Sequence, residues 1–264
     1  MKQKSKLQQD NPKASTQSLN PGQGVMLQIA KKSARGVYLL PNLFTTASLF
    51  SGFYAVVAGM EGNFSSAAIA ILISMILDTL DGRVARMTNT QSKFGAEYDS
   101  LADVVAFGMA PALVVFSWAL QSLGNLGWVA TFIYVAAGAL RLARFNVQLE
   151  VADKRYFVGL PIPAAAGVLA SMVWAGHDSG IQGTHYALFV ALLVIVIGML
   201  MVSNFPYYSF KEVDFKGKVP FITLLAIVLV FAFISLDPPT ILWPIFFVFA
   251  LSGPVLYAWR LAKQ

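Results

Sequence analysis

The sequence predicts an all-α, polytopic membrane protein with about eight transmembrane helices. Three observations predict it. Of 264 residues, 57% are hydrophobic and 12% charged, and the mean hydropathy is +0.65; a soluble globular chain carries roughly 25% charged residues. Eight apolar stretches recur along the chain, most of them close to the roughly 20 residues that cross a hydrocarbon core. All 19 Lys and Arg residues fall in alternate connections, on one side of that pattern.

Residues 1–36 read as a polar, basic tail. Residues 1–24 are rich in Lys, Gln, Asn, Ser and Pro, too polar to bury a core, and show no secretory leader pattern. Residues 25–36 mix Val25, Met26, Leu27 and Ile29 with Lys31, Lys32 and Arg35. That pattern fits either a helix lying on an anionic membrane surface or an ordinary juxtamembrane linker. The apolar stretches follow at 37–59, 64–86, 97–119, 124–147, 159–176, 184–203, 219–236 and 239–259. They make a transmembrane domain over 37–259, and residues 260–264 form a short end. The fifth stretch is short, and Gly159-Leu160-Pro161-Ile162-Pro163 interrupts its start, where proline is tolerated. Pro206-Tyr207-Tyr208-Ser209-Phe210-Lys211 reads as an aromatic belt with a basic anchor closing the sixth.

The basic residues precede the first stretch and follow the eighth (Arg260, Lys263). The others lie after the second (Arg83, Arg86, Lys93), the fourth (Arg141, Arg144, Lys154, Arg155) and the sixth (Lys211, Lys216, Lys218). The opposite turns, near 60–63, 120–123, 177–183 and 237–238, carry none. The positive-inside rule then places both termini in the cytoplasm. The net charge of +6 is therefore a topology signal, with anionic lipid rather than nucleic acid as its partner. The chain has no cysteine, which excludes disulfides, thiolate metal sites and cysteine nucleophiles. Its two histidines, His177 and His185, fall on the side away from the basic residues and argue against a histidine-rich zinc site.

The informative segment is 78–103. Asp78 and Asp81 end the second helix, and Asp99 and Asp103 begin the third. Spacings of three and four put each pair on one helix face, and the basic turn between them brings all four to one depth at the cytoplasmic side. A carboxylate at a helix centre costs about 2.5–3.5 kcal/mol on insertion scales, less near the interface, and four together repel. Arg83, Arg86, Lys93 or a bound metal must offset this. Carboxylates without histidine or cysteine favour hard divalent cations, Mg²⁺ or Mn²⁺, and two such ions suit phosphate transfer. A structural salt bridge or a transporter's ion site is the alternative. Gly82 leaves room for a phosphate to approach, and Arg86 offers a guanidinium to its oxygens.

Those residues, written Asp78-x2-Asp81-Gly82-x2-Ala85-Arg86-x8-Gly95-x3-Asp99-x3-Asp103, resemble the signature of the CDP-alcohol phosphotransferase family at every fixed position. The resemblance implies a six-helix catalytic core in a bacterial-type cytoplasmic membrane, a site at the cytoplasmic face and a homodimer. It implies transfer of a phosphoryl-alcohol group from a CDP-linked substrate to an acceptor hydroxyl. It assigns Asp78, Asp81, Asp99 and Asp103 to two divalent cations, Mg²⁺ or Mn²⁺. Asp103 is then general base, metal ligand or both. Asn42, Thr45, Asp78, Gly82, Arg86 and Ser92 become CDP-lipid contacts. Pro41-Asn42-Leu43-Phe44-Thr45, which also reads as a helix start with a capping asparagine, resembles the family's N-terminal element.

Further strings, among them PNLFTTASLFSGFYAV, ALRLARFN, FVGLPIPAAA and SNFPYYSFK, resemble the bacterial integral-membrane phosphatidylserine synthases within that family. This implies CDP-diacylglycerol and L-serine as substrates. Glycerol 3-phosphate, inositol phosphate and choline are the alternative acceptors. Serine carries a carboxylate that needs a cation. Arg141 and Arg144, followed by Asn146, are the candidates, against the reading that both arginines are positive-inside anchors.

Overall fold

The structure, a computed structural model, describes residues 21–148, 156–208 and 221–263. The polar tail over 1–20, and Lys154, Arg155, Lys211, Lys216 and Lys218, lie outside the described residues. The chain divides into two units, Met1–Val37 and Tyr38–Gln264. The elements are α1 (Pro21–Met60), α2 (Phe64–Met87), α3 (Lys93–Asp103), a π-helical segment (Val104–Met109), α4 (Ala110–Trp118) and α5 (Asn125–Gln148). After these come β1 (Tyr156–Val158), α6 (Ile162–Asp178), α7 (Ala187–Val202), β2 (Pro206–Tyr208), α8 (Phe221–Leu236) and α9 (Pro238–Leu261). α3, the π segment and α4 run on as one membrane-length helix, Lys93–Trp118.

Each of the eight apolar stretches contains a helix among the described residues. Among the described residues, six helices are long and apolar enough to cross a membrane. The two others are α6, with 17 residues, and α8, with 16. At 1.5 Å per residue α6 is about 26 Å long, just short of a ~30 Å hydrocarbon core. It lies inside the protein: 11 of its residues are buried, against α2, α4 and α9. The chain is thus a multi-pass membrane protein, as composition predicts.

Small residues let these helices approach. Between α1 and α2 the Ser48 and Ser74 hydroxyls lie 2.7 Å apart and each donates to the other's carbonyl, at 3.1 and 2.9 Å. Ser51 donates to Ala70 at 2.7 Å. Such pairs join helices where lipid supplies no hydrophobic drive. A Cβ on Gly52 would lie 2.7 Å from the Ala106 Cα, so α1 touches the π segment backbone to backbone. A Cβ on Gly176 or Gly183 would lie 2.6 Å from the Trp118 ring, which fills the space between them.

Three local expectations change. Pro41 and Asn42 do not start a helix: Pro41 lies inside α1, so Asn42 is no cap. The third helix begins at Lys93, four residues earlier than expected, because Ser92 caps it. Residues 206–208 are not simply an aromatic belt: β2 pairs antiparallel with β1, Tyr156 opposite Tyr208 and Val158 opposite Pro206. Tyr207 points inward, fully buried, and donates to the Ala250 carbonyl at 2.8 Å.

Candidate active site

Two helix ends and a tight turn build the site. α2 closes at Met87, and Asn89 takes the left-handed conformation, φ 55°, which asparagine tolerates better than most residues. Thr88 and Thr90 share a hydroxyl contact of 2.7 Å across that turn. Ser92 then accepts the Gly95 amide at 3.0 Å and starts α3. The bare Gly95 admits Asn42, whose Oδ1 would lie 3.4 Å from a Cβ there. α1, α2 and α3 therefore meet where the acids stand.

The structure brings Asp78, Asp99 and Asp103 together: one carboxylate oxygen from each lies within 4.8 Å of the others. All three are half-buried. The Asp78 and Asp103 carboxyl groups lie side by side within that group. Asp99 Oδ1 is buried without a hydrogen-bond partner. A carboxylate with a buried, unpartnered oxygen, grouped with two further carboxylates, fits a cation, and an all-oxygen donor set fits a hard one. Asp81 stands apart from this trio. It is buried, and its Oδ2 accepts the Thr45 hydroxyl at 2.7 Å. Asp78 and Arg86 act on it electrostatically. The Arg86 guanidinium lies over Gly82, 3.5 Å from where a Cβ would be.

The arginine pair divides. Arg141 is buried, faces Asp103 electrostatically, and its Nε has no hydrogen-bond partner. Its guanidinium lies 5.9 Å from the centre of the Phe145 ring. Arg144 is engaged elsewhere, donating to the Val202 carbonyl at 3.2 Å and to Asn204 Oδ1 at 2.6 Å. It ties the end of α5 to the end of α7. Asn146 donates to Ser100 on α3 at 2.9 Å. His177 packs edge-on against Phe64, at the other end of α2.

Several contacts here escaped the sequence. Thr46 and Tyr98 share a hydroxyl contact of 2.9 Å between α1 and α3. Tyr98 also stacks on Phe94. Tyr134 donates to the Phe107 carbonyl at 3.1 Å. The doubled threonine after PNLF and the polar Tyr98 inside the aspartate segment were the available signals; Tyr134 sits in an apolar run and gave none.

A family model described as CDP-alcohol phosphatidyltransferase matches residues 38–252. The chain is 42% identical over 196 residues to a CDP-diacylglycerol–serine O-phosphatidyltransferase of Helicobacter pylori, covering 74% of this chain and 82% of that protein. It is 33% identical over 225 residues to a protein of the same name in Methanocaldococcus jannaschii, covering 85% and 97%. It is 34% identical over 170 residues to an archaetidylserine synthase of Methanothermobacter thermautotrophicus, covering 64% and 69%. With the match spanning the aspartate signature and most of the membrane helices, the chain belongs to the CDP-alcohol phosphatidyltransferase family.

Proposed function

We propose that this chain transfers the phosphatidyl group of CDP-diacylglycerol to the hydroxyl of L-serine, giving phosphatidylserine and CMP. The observation that carries this is the convergence of Asp78, Asp99 and Asp103, with the buried Arg141 within electrostatic reach of Asp103. Relatives named for serine transfer, one of them on an archaeal-type lipid, support serine as the shared acceptor.

The acidic group suits two divalent cations, Mg²⁺ or Mn²⁺, held by Asp78, Asp99 and Asp103 with Asp81 alongside. When bound, such ions neutralise phosphate charge and favour departure of CMP. The chain's own residues do the rest. Gly82 leaves space beside Arg86, whose guanidinium pairs with the diphosphate oxygens. Thr45 orients Asp81. Asn42 and Ser92 line the nucleotide side, the Ser92 hydroxyl keeping its proton to donate while it accepts from Gly95. Arg141 forks the serine carboxylate, because its Nε is unpartnered, whereas both Nη atoms of Arg144 already donate to Val202 and Asn204. Asp103, near that guanidinium, takes the proton from the serine hydroxyl as it attacks phosphorus. Arg144 and Asn146 frame the pocket. Direct displacement inverts the configuration at phosphorus.

The reading places the chain in a bacterial-type cytoplasmic membrane, both termini and the site on the cytoplasmic side, among anionic lipids and as a homodimer. The basic connections support the orientation; the homodimer rests on family resemblance. The deciding experiment supplies purified protein with CDP-diacylglycerol, Mn²⁺ or Mg²⁺, and in turn L-serine, glycerol 3-phosphate, inositol phosphate and choline, and measures CMP release. Release with serine alone is expected. Release with another alcohol overturns the acceptor and keeps the family.

A further inference from the structure

Asp103 is the last residue of α3, and the helix widens directly after it. From Val104 to Met109 the backbone is π-helical, and the Ala110 amide reaches back five residues to the Val105 carbonyl. Pro111 stands in the first turn of α4. In a regular α-helix the Phe107 carbonyl accepts from the amide of residue 111. Proline has no such amide, and its ring presses on that carbonyl. The wide turn accommodates Pro111 without breaking a membrane-spanning helix. Phe107 is fully buried, in a setting where an unpaired backbone carbonyl costs about 1–3 kcal/mol.

Tyr134 of α5 meets that carbonyl. Its side chain is fully buried, and its hydroxyl donates to Phe107 O at 3.1 Å. Tyr134 is backed by α7, where a Cβ on Gly198 would lie 3.3 Å from the Tyr134 Cα. On α1, Gly52 closes on Ala106 within the same turn. Adding one residue to a helical turn rotates one side against the other by roughly 100°. The turn therefore sets the rotational phase between the buried α4 and the face that carries Asp99 and Asp103.

We propose that Tyr134 is a positioning residue for the transfer reaction: by holding the Phe107 carbonyl it locks the π turn in the phase that aims Asp99 and Asp103 at Asp78. This rests on the reading of those aspartates given above. Tyr134 acts through the helix and touches no substrate.

The test is a double-mutant cycle on the full chain with Tyr134→Phe, Pro111→Ala and the two together. It reads kcat, KM for serine and for CDP-diacylglycerol, and Mn²⁺ affinity by electron paramagnetic resonance without substrate. Tyr134→Phe is expected to lower kcat about tenfold or more, leave both KM values within about twofold, and weaken Mn²⁺ binding about threefold or more. Pro111→Ala supplies the missing amide, so adding Tyr134→Phe to it changes kcat and Mn²⁺ affinity by less than about twofold. A tyrosine that merely stabilises the fold would cost the same beside proline or alanine. Wild-type kcat and Mn²⁺ affinity in Tyr134→Phe, or an equal loss in the Pro111→Ala background, overturns the proposal. If Tyr134→Phe does not survive purification, the comparison of Pro111→Ala with the double variant decides it: equal values support, unequal values reject. A wild-type protein that ignores serine would overturn the acceptor instead, and the Mn²⁺ cycle would still judge Tyr134.

Discussion

Asp103 joins two requirements in one side chain, since it contacts Asp78 within the acidic group and faces Arg141 on the neighbouring helix. Asp103→Asn keeps the shape and removes the base. Turnover should fall by about 10² or more, general-base contributions being of that order, while CDP-diacylglycerol binding persists. CMP release and equilibrium lipid binding measure the two separately. Arg141→Ala should raise the serine KM about tenfold or more, hydrogen bonds to a charged group contributing about 1.5–3 kcal/mol, with the CDP-diacylglycerol KM unchanged. Initial rates over a serine titration check it; an unchanged serine KM would remove Arg141 from the acceptor pocket. The four aspartates were legible because carboxylates in an apolar chain demand a reason and their spacing shares a face. That Asp99 rather than Asp81 joins Asp78 and Asp103 was not legible, because the Thr45 bond that engages Asp81 spans 36 residues.

At the scale of elements, the bare faces of glycines and the paired serines decide how near α1 comes to α2 and to the π turn. Gly52→Val would drive a side chain into the Ala106 backbone. Overpacking of this kind costs about 1–3 kcal/mol, so the variant should unfold several degrees lower in detergent, read by thermal denaturation. The order of the helices was legible from apolar length, while the expected eight spans compare with six helices of membrane length among the described residues. The two-strand ribbon was not. It pairs Tyr156–Val158 with Pro206–Tyr208, some fifty residues on, and three residues of aromatic or β-branched character look the same in a membrane-interface belt as in a strand. Pro111 carried no expectation from the sequence, and the third span meets it with a π-helical turn.

For the whole molecule, orientation and ion dependence are the testable properties. The absence of cysteine makes single-cysteine variants clean probes: a cysteine introduced by Asn63→Cys should react with an impermeant thiol reagent from outside intact cells, and one introduced by Asn89→Cys only after permeabilisation. The reverse pattern would invert the topology. Chelation should abolish CMP release and lower the unfolding temperature, and excess Mn²⁺ should restore both. Saturation at a hundred times Kd adds about 2.7 kcal/mol to the native state by mass action.

The acidic group also has a mechanical side. Its members belong to different helices, Asp78 to α2 and Asp99 and Asp103 to α3, while the start of α2 is moored elsewhere, Ser65 donating to Asp178 on α6 at 2.7 Å. Negative groups facing each other across a seam push it open, and anything positive seated among them rivets it shut. Loading with divalent ions should therefore quieten backbone breathing around residues 76–82 and 96–103, seen as slower amide exchange, and leave the α5–α7 pair, clasped by Arg144, as it was.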